Sequence, residues 1–166
     1  MSPGKAPLLV FPDTNTLLSM ILFPLDREGR PTLAGEVKTL FEQGAFRLAI
    51  SRAVADELLA VIAERFPAYH ALVEQFLKPF EPRFTPWPRQ EEVKAALPYV
   101  VDRQDAPVFA AAALSQPDLV VSNDFKTFHA EKAQAFWKQH GIQVESLYGL
   151  LCVFGKRERK AGIARP

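Results

Sequence analysis

The sequence predicts a single α/β domain with a mainly parallel central sheet flanked by helices, and three observations carry that prediction. Short apolar runs suited to strands alternate with longer stretches of helical periodicity, the pattern of a parallel sheet with crossover helices. At 166 residues and 48% hydrophobic content, the chain can fill one core but not comfortably two. Asp13 and Asp124 stand just after two of the runs, at the carboxyl ends of strands, where sheets of this class place their sites.

Leu8-Leu9-Val10-Phe11 is the first strand, an unbroken apolar run bounded by Pro7 and Pro12. A helix over 15–22 follows and stops before Pro24, and Asp26 to Pro31 reads as a polar loop. Leu33, Val37, Leu40 and Phe41 recur at helical spacing, with Gly44 placed to end that helix, and residues 46–50 form the second strand. Ser51 caps a third helix whose apolar stripe is Val54, Leu58, Val61 and Ile62, and Glu57 sits in its second turn. Beyond Pro67, the residues Leu72, Val73, Phe76 and Leu77 define a fourth helix ending at Pro79. The four prolines from Pro79 to Pro88 make a rigid connector. Residues 90–97 form a short helix, and the loop after it delivers Asp102 and Asp105. Asp105 is placed to cap the alanine-rich helix that follows, with Pro107 tolerated in its first turn. The third strand lies within 118–122, a helix at 132–139 closes at Gly141, the fourth strand is 142–145, and 147–154 is a terminal helix. One domain is expected over 1–155, with 156–166 a basic, frayed tail.

Twenty basic and 19 acidic side chains leave a formal charge of +1, so any polyanion must be met by a local patch or a bound cation. Cys152 is the only cysteine, which excludes a disulfide framework and thiolate-rich zinc sites and fits a reducing compartment, the cytoplasm. The apolar runs near Leu8 and Leu150 fall short of the ~20 residues a membrane helix needs, and Met1 to Pro7 does not resemble a secretory signal. The three histidines, His70, His129 and His140, lack ligand-like spacing, which disfavours zinc. The only two asparagines, Asn15 and Asn123, each lie beside a candidate site acid.

Asp13, Glu57, Asp105 and Asp124 are all expected at one edge of the sheet, two at strand ends and two near helix starts. Four carboxylates there repel one another unless a cation neutralises them. Oxygen-only donors favour Mg²⁺ or Mn²⁺, ions that polarise phosphate esters and activate water, so phosphodiester hydrolysis is the expected chemistry.

At these residues the sequence resembles the PIN-domain family. Phe11-Pro12-Asp13-Thr14-Asn15 looks like its opening acidic motif and Glu57-Leu58 like its helix-borne acid. Asp102-Arg103-Gln104-Asp105-Ala106-Pro107-Val108 is similar to its paired-aspartate helix start, and Val121-Ser122-Asn123-Asp124 to its final strand-end motif. The four fragments follow in the family's order from Leu8 to Phe128. The resemblance implies a PIN-like three-layer sandwich, Mg²⁺ or Mn²⁺ on the four acids, and endoribonuclease action on single-stranded RNA. It further implies, by likeness to VapC-type members, the toxin of a toxin–antitoxin pair, with a small antitoxin and a homodimer as partners.

Each residue also has a plainer role. Asp105 is a natural N-cap, Asp13 and Asp124 suit turns, and Asp56 competes with Glu57 because only one of the two can face the site. The family pattern, with its acid directly before an apolar residue, selects Glu57. Asp102 either supports the metal site from behind or shapes its loop. Thr14, Asn15, Ser122 and Asn123 suit both the orientation of carboxylates and backbone capping. Arg103 and Lys126 can hold phosphate oxygens, although solvated charge is the commoner role. Phe80, Phe84 and Trp87 can stack bases but better suit core packing or a dimer contact. Asn15 stands where a haloacid-dehalogenase-type phosphatase needs its second aspartate. The rival from another class is a PIN-like RNA-binding or protein-interaction module without catalysis.

Overall fold

A computed structural model describes residues 6–159. Most of the N-terminal stretch read for a secretory signal, residues 1–5, lies outside them, as does the end of the basic tail, 160–166.

Four strands, β1 (Leu8–Pro12), β2 (Phe46–Leu48), β3 (Leu119–Val121) and β4 (Gln143–Glu145), form one sheet in the order β2-β1-β3-β4, every pair parallel. Leu119, Val120 and Val121 point alternately to opposite faces and all three are buried, so both faces of the sheet are covered. The covering helices are α1 (Thr14–Leu22), α2 (Leu33–Glu42), α3 (Arg52–Arg65), α4 (His70–Leu77), α5 (Gln90–Ala96), α6 (Ala106–Ser115), α7 (Glu131–Gln139) and α8 (Leu147–Val153). The α/β sandwich read from the sequence is the fold observed.

The central strand β1 is held on both sides. Its register pairs Leu8 with Phe46 and Val10 with Leu119. Asp118 fixes the second pairing: the Leu9 N–H donates to its Oδ2 at 2.7 Å, while its own N–H donates to the Leu9 carbonyl at 2.8 Å. Under the sheet, Phe109, Phe128, Phe136 and Trp137 form an aromatic cluster. Its closest rings, Phe109 and Trp137, are 4.6 Å apart at an angled approach, and the Trp137 Nε1–H is satisfied by the Phe128 carbonyl at 2.9 Å. On the other flank, α2 approaches the chain so closely that a Cβ on Gly35 would lie 1.9 Å from the Pro24 carbonyl oxygen. Only glycine fits there.

Three expectations change in detail. The second strand ends at Leu48 rather than residue 50, because the chain turns from β1 toward Thr85: the Thr85 N–H donates to the Ile50 carbonyl and Ser51 bridges Thr85 in parallel. The proline-rich connector contains a 3₁₀ helix, Lys78–Arg83. Asp105 does not cap α6 with its side chain; Asp102 instead caps the 3₁₀ turn before it, its Oδ1 accepting the Gln104 N–H at 2.9 Å. Residues 156–159, within the segment read as frayed, contact the body through Arg157 to Glu36 and Arg159 to Glu145. Among the described residues no helix is long and apolar enough to cross a membrane.

Candidate active site

The carboxyl edge of the sheet gathers the site because β1 and β3 are neighbours and both end in an acid or its support. Asp13 directly follows β1 and caps α1, its Oδ1 accepting the Thr16 N–H at 2.9 Å. Its Oδ2 accepts the hydroxyl of Ser122, just past β3, at 2.5 Å. The same Ser122 oxygen accepts the Asp124 N–H at 3.0 Å, so one hydroxyl, 0% exposed, joins the two strand-end acids. Asp124 fixes the turn beyond it: its Oδ1 accepts from the Thr127 N–H at 3.2 Å and its carbonyl from the Phe128 N–H at 2.9 Å.

Asp13 is only 5% exposed, and burial pushes its carboxyl above the ordinary aspartate range, against the opposing pull of its Ser122 and Thr16 hydrogen bonds. Asp105, half-buried, is pushed up to about 6, first by burial and then by the charges of Asp102, Asp124, Glu57 and Asp13. The charges of the other three sequence-chosen acids, and of Asp102, therefore all act on Asp105. Because Asp105 makes no cap, its carboxylate is left free at the edge.

Asp56 and Glu57 differ in their contacts. Asp56 accepts the Trp87 indole N–H at 2.7 Å, whereas Glu57 is the member of the pair whose charge acts on Asp105. Trp87 is 51% exposed, while Phe80 and Phe84 pack against the core. Asn123 serves the fold: its Oδ1 accepts the Leu147 N–H at the start of α8. Thr14 is buried with its hydroxyl unpartnered, and Asn15, Arg103 and Lys126 are exposed.

Two supporting residues were not singled out in the sequence. Thr16 holds Asp13 through its N–H and reaches the Val121 carbonyl with its hydroxyl at 3.3 Å; its place three residues after a capping aspartate was the available signal. His129 places Nε2 2.8 Å from the Ser122 carbonyl, a contact across seven residues that no spacing rule identifies. A sixth acid at this edge, Glu145, ends β4 at 1% exposure, but its Oε1 accepts from Arg159 and Gln143, so it carries its own counter-charge.

Among the described residues no three His, Cys, Asp or Glu side chains converge tightly enough to grip one ion by themselves. The donor chemistry nevertheless fits a hard divalent cation: oxygen-only ligands, a carboxylate anchored at both oxygens, and mutual repulsion that no ion pair relieves among the described residues. Mg²⁺ in particular takes few protein ligands and keeps several waters. The acids lie on the open edge, apart from a groove of about 970 Å³ along the free side of β2 that is lined by Phe41, Phe46, Phe76 and Phe80.

No curated protein and no solved structure matches the chain significantly. A family model described as PIN domain matches residues 9–126, a span that includes Asp13, Glu57, Asp102, Asp105 and Asp124. With that match covering well over half the chain, the protein belongs to the PIN-domain family, a nuclease-type fold.

Proposed function

We propose that this chain is an endoribonuclease that hydrolyses phosphodiester bonds of single-stranded RNA, with Mg²⁺ or Mn²⁺ held by Asp13, Glu57, Asp105 and Asp124. The observation that carries the reading is Asp105, a carboxyl raised to about 6 beside four other acids, none of them ion-paired with a basic side chain among the described residues. Retaining such repulsion without a counter-ion costs stability, and a bound cation removes that cost. A divalent ion at such a site neutralises charge on the phosphate and activates water. The chain's own contribution is placement. Ser122 and Thr16 fix the Asp13 carboxylate, the Asp124 turn presents the second strand-end acid, and Arg103 and Lys126 supply cations near the acids for phosphate oxygens.

The test is cleavage of a labelled single-stranded RNA by the purified chain with Mg²⁺, with Mn²⁺ and in excess chelator, alongside Asp13→Asn. Cleavage that needs the metal and Asp13 is expected; equal cutting in chelator, or an unimpaired variant, would refute the assignment. The single cysteine fits action in a reducing cytoplasm. Likeness to toxin-type members adds a role as the toxin of a toxin–antitoxin pair, with a small antitoxin and a second copy of the chain as partners. A growth defect on expression, relieved by a neighbouring small protein, tests that role; its absence removes the toxin assignment and leaves the nuclease.

A further inference from the structure

Phe125 is an apolar ring left in water on a turn that is otherwise tightly held. It is 54% exposed and directly follows Asp124. Its backbone is fixed, since its N–H donates to the Asn123 carbonyl at 3.1 Å and the next turn closes on Asp124. Its ring is backed by the His129 imidazole, with centroids 4.6 Å apart and planes inclined by 31°. The imidazole is in turn pinned at 2.8 Å to the carbonyl of Ser122, the residue whose hydroxyl holds Asp13. Lys126, also exposed, is the next residue.

Solitary exposed apolar side chains are common and need no explanation. This one differs in standing on a hydrogen-bonded turn, backed on one face by a second ring, and joined through two hydrogen bonds to Asp13. An aromatic face held open in this way is what stacks an unpaired nucleobase, and a neighbouring lysine suits the adjoining phosphate. We propose that Phe125, supported by His129, is a stacking subsite for a nucleobase next to the phosphate at the acidic cluster. It makes the site selective for single strands, because a base within a duplex has both faces occupied. The inference rests on the nuclease reading above and adds the feature that selects unpaired substrate.

The experiment measures fluorescence anisotropy of a labelled RNA oligomer, single-stranded or annealed to its complement, in chelator so that no strand is cut. The proteins are the full chain, Phe125→Leu, Phe125→Trp and Leu25→Ala, the last removing an equally exposed apolar side chain beyond the far end of α1. Loss of one base–aromatic stack weakens single-strand binding by about 5- to 150-fold in Phe125→Leu. Phe125→Trp and Leu25→Ala retain it, duplex binding is weak throughout, and unchanged melting shows that Phe125→Leu is folded. With metal, Phe125→Leu raises KM and leaves kcat near the parent value. Equal single-strand binding by the parent and Phe125→Leu overturns the subsite while leaving a parent that still cleaves as a nuclease. A parent that neither binds nor cuts single strands overturns both.

Discussion

Replacing Asp105 by Asn should stabilise the metal-free protein at neutral pH. Its carboxyl is raised from the ordinary 3.8 to about 6 in the folded state. Between those values the folded protein binds more protons than the unfolded chain, so stability falls as pH rises through this window, and the loss is complete above it. A shift of about 2 units corresponds to roughly 3 kcal/mol as a ceiling. The group is only half-buried, and solvent screening reduces the expected gain to about 1 kcal/mol. In a domain of this size that is roughly 2–4 °C in Tm. Thermal denaturation in chelator from pH 4 to 8 should show Asp105→Asn level with the parent near pH 4 and increasingly ahead of it through pH 6. Adding Mg²⁺ should then stabilise the parent more than the variant and narrow the gap. A variant no more stable than the parent at pH 7.5, with no pH-dependent difference, would show that the crowding inferred at this edge is absent.

Ser122→Ala removes a donor to a buried carboxylate and orphans the Asp124 N–H, so unfolding in urea should reveal a loss of about 2–4 kcal/mol. Asp56→Asn retains an acceptor for the Trp87 indole and should leave cleavage near the parent rate, whereas Glu57→Gln should lower kcat/KM by more than about 100-fold; a reversed order in the same assay would move the site acid to Asp56. Gly35→Ala forces a Cβ into the Pro24 carbonyl and should cost at least about 2 kcal/mol by denaturation, with an undiminished midpoint contradicting the close approach.

The sheet was legible because its strands are short, apolar and punctuated by prolines and glycines; Gly44 and Gly141, read as ending α2 and α7, do follow those helices and take positive φ. The four acids could be chosen as a set from the sequence because strand ends and helix starts obey topology rather than side-chain detail. What escaped was local competition for hydrogen bonds. Asp105 carried every mark of an N-cap, yet Asp102 captures the turn two residues earlier and leaves Asp105 at the cluster. The hydrogen bond that distinguishes Asp56 from Glu57 comes from Trp87, about thirty residues away along the chain, whose indole occupies Asp56. Glu145 was not flagged because its counter-ion, Arg159, lies in a segment whose sequence suggested fraying.

The placement of β1 beside β3 also sets a timetable for synthesis. Asp13 emerges early, but the hydroxyl that holds it belongs to a residue 109 positions later. At typical elongation rates that interval is roughly 5–20 s, during which β1 lacks a neighbour on its inner side. A growing chain therefore contains the first acid for most of its production without containing a site. Whatever reactivity the finished edge possesses is withheld until the Ser122–Asp124 turn has cleared the ribosome, a delay written into strand order and independent of any inhibitor.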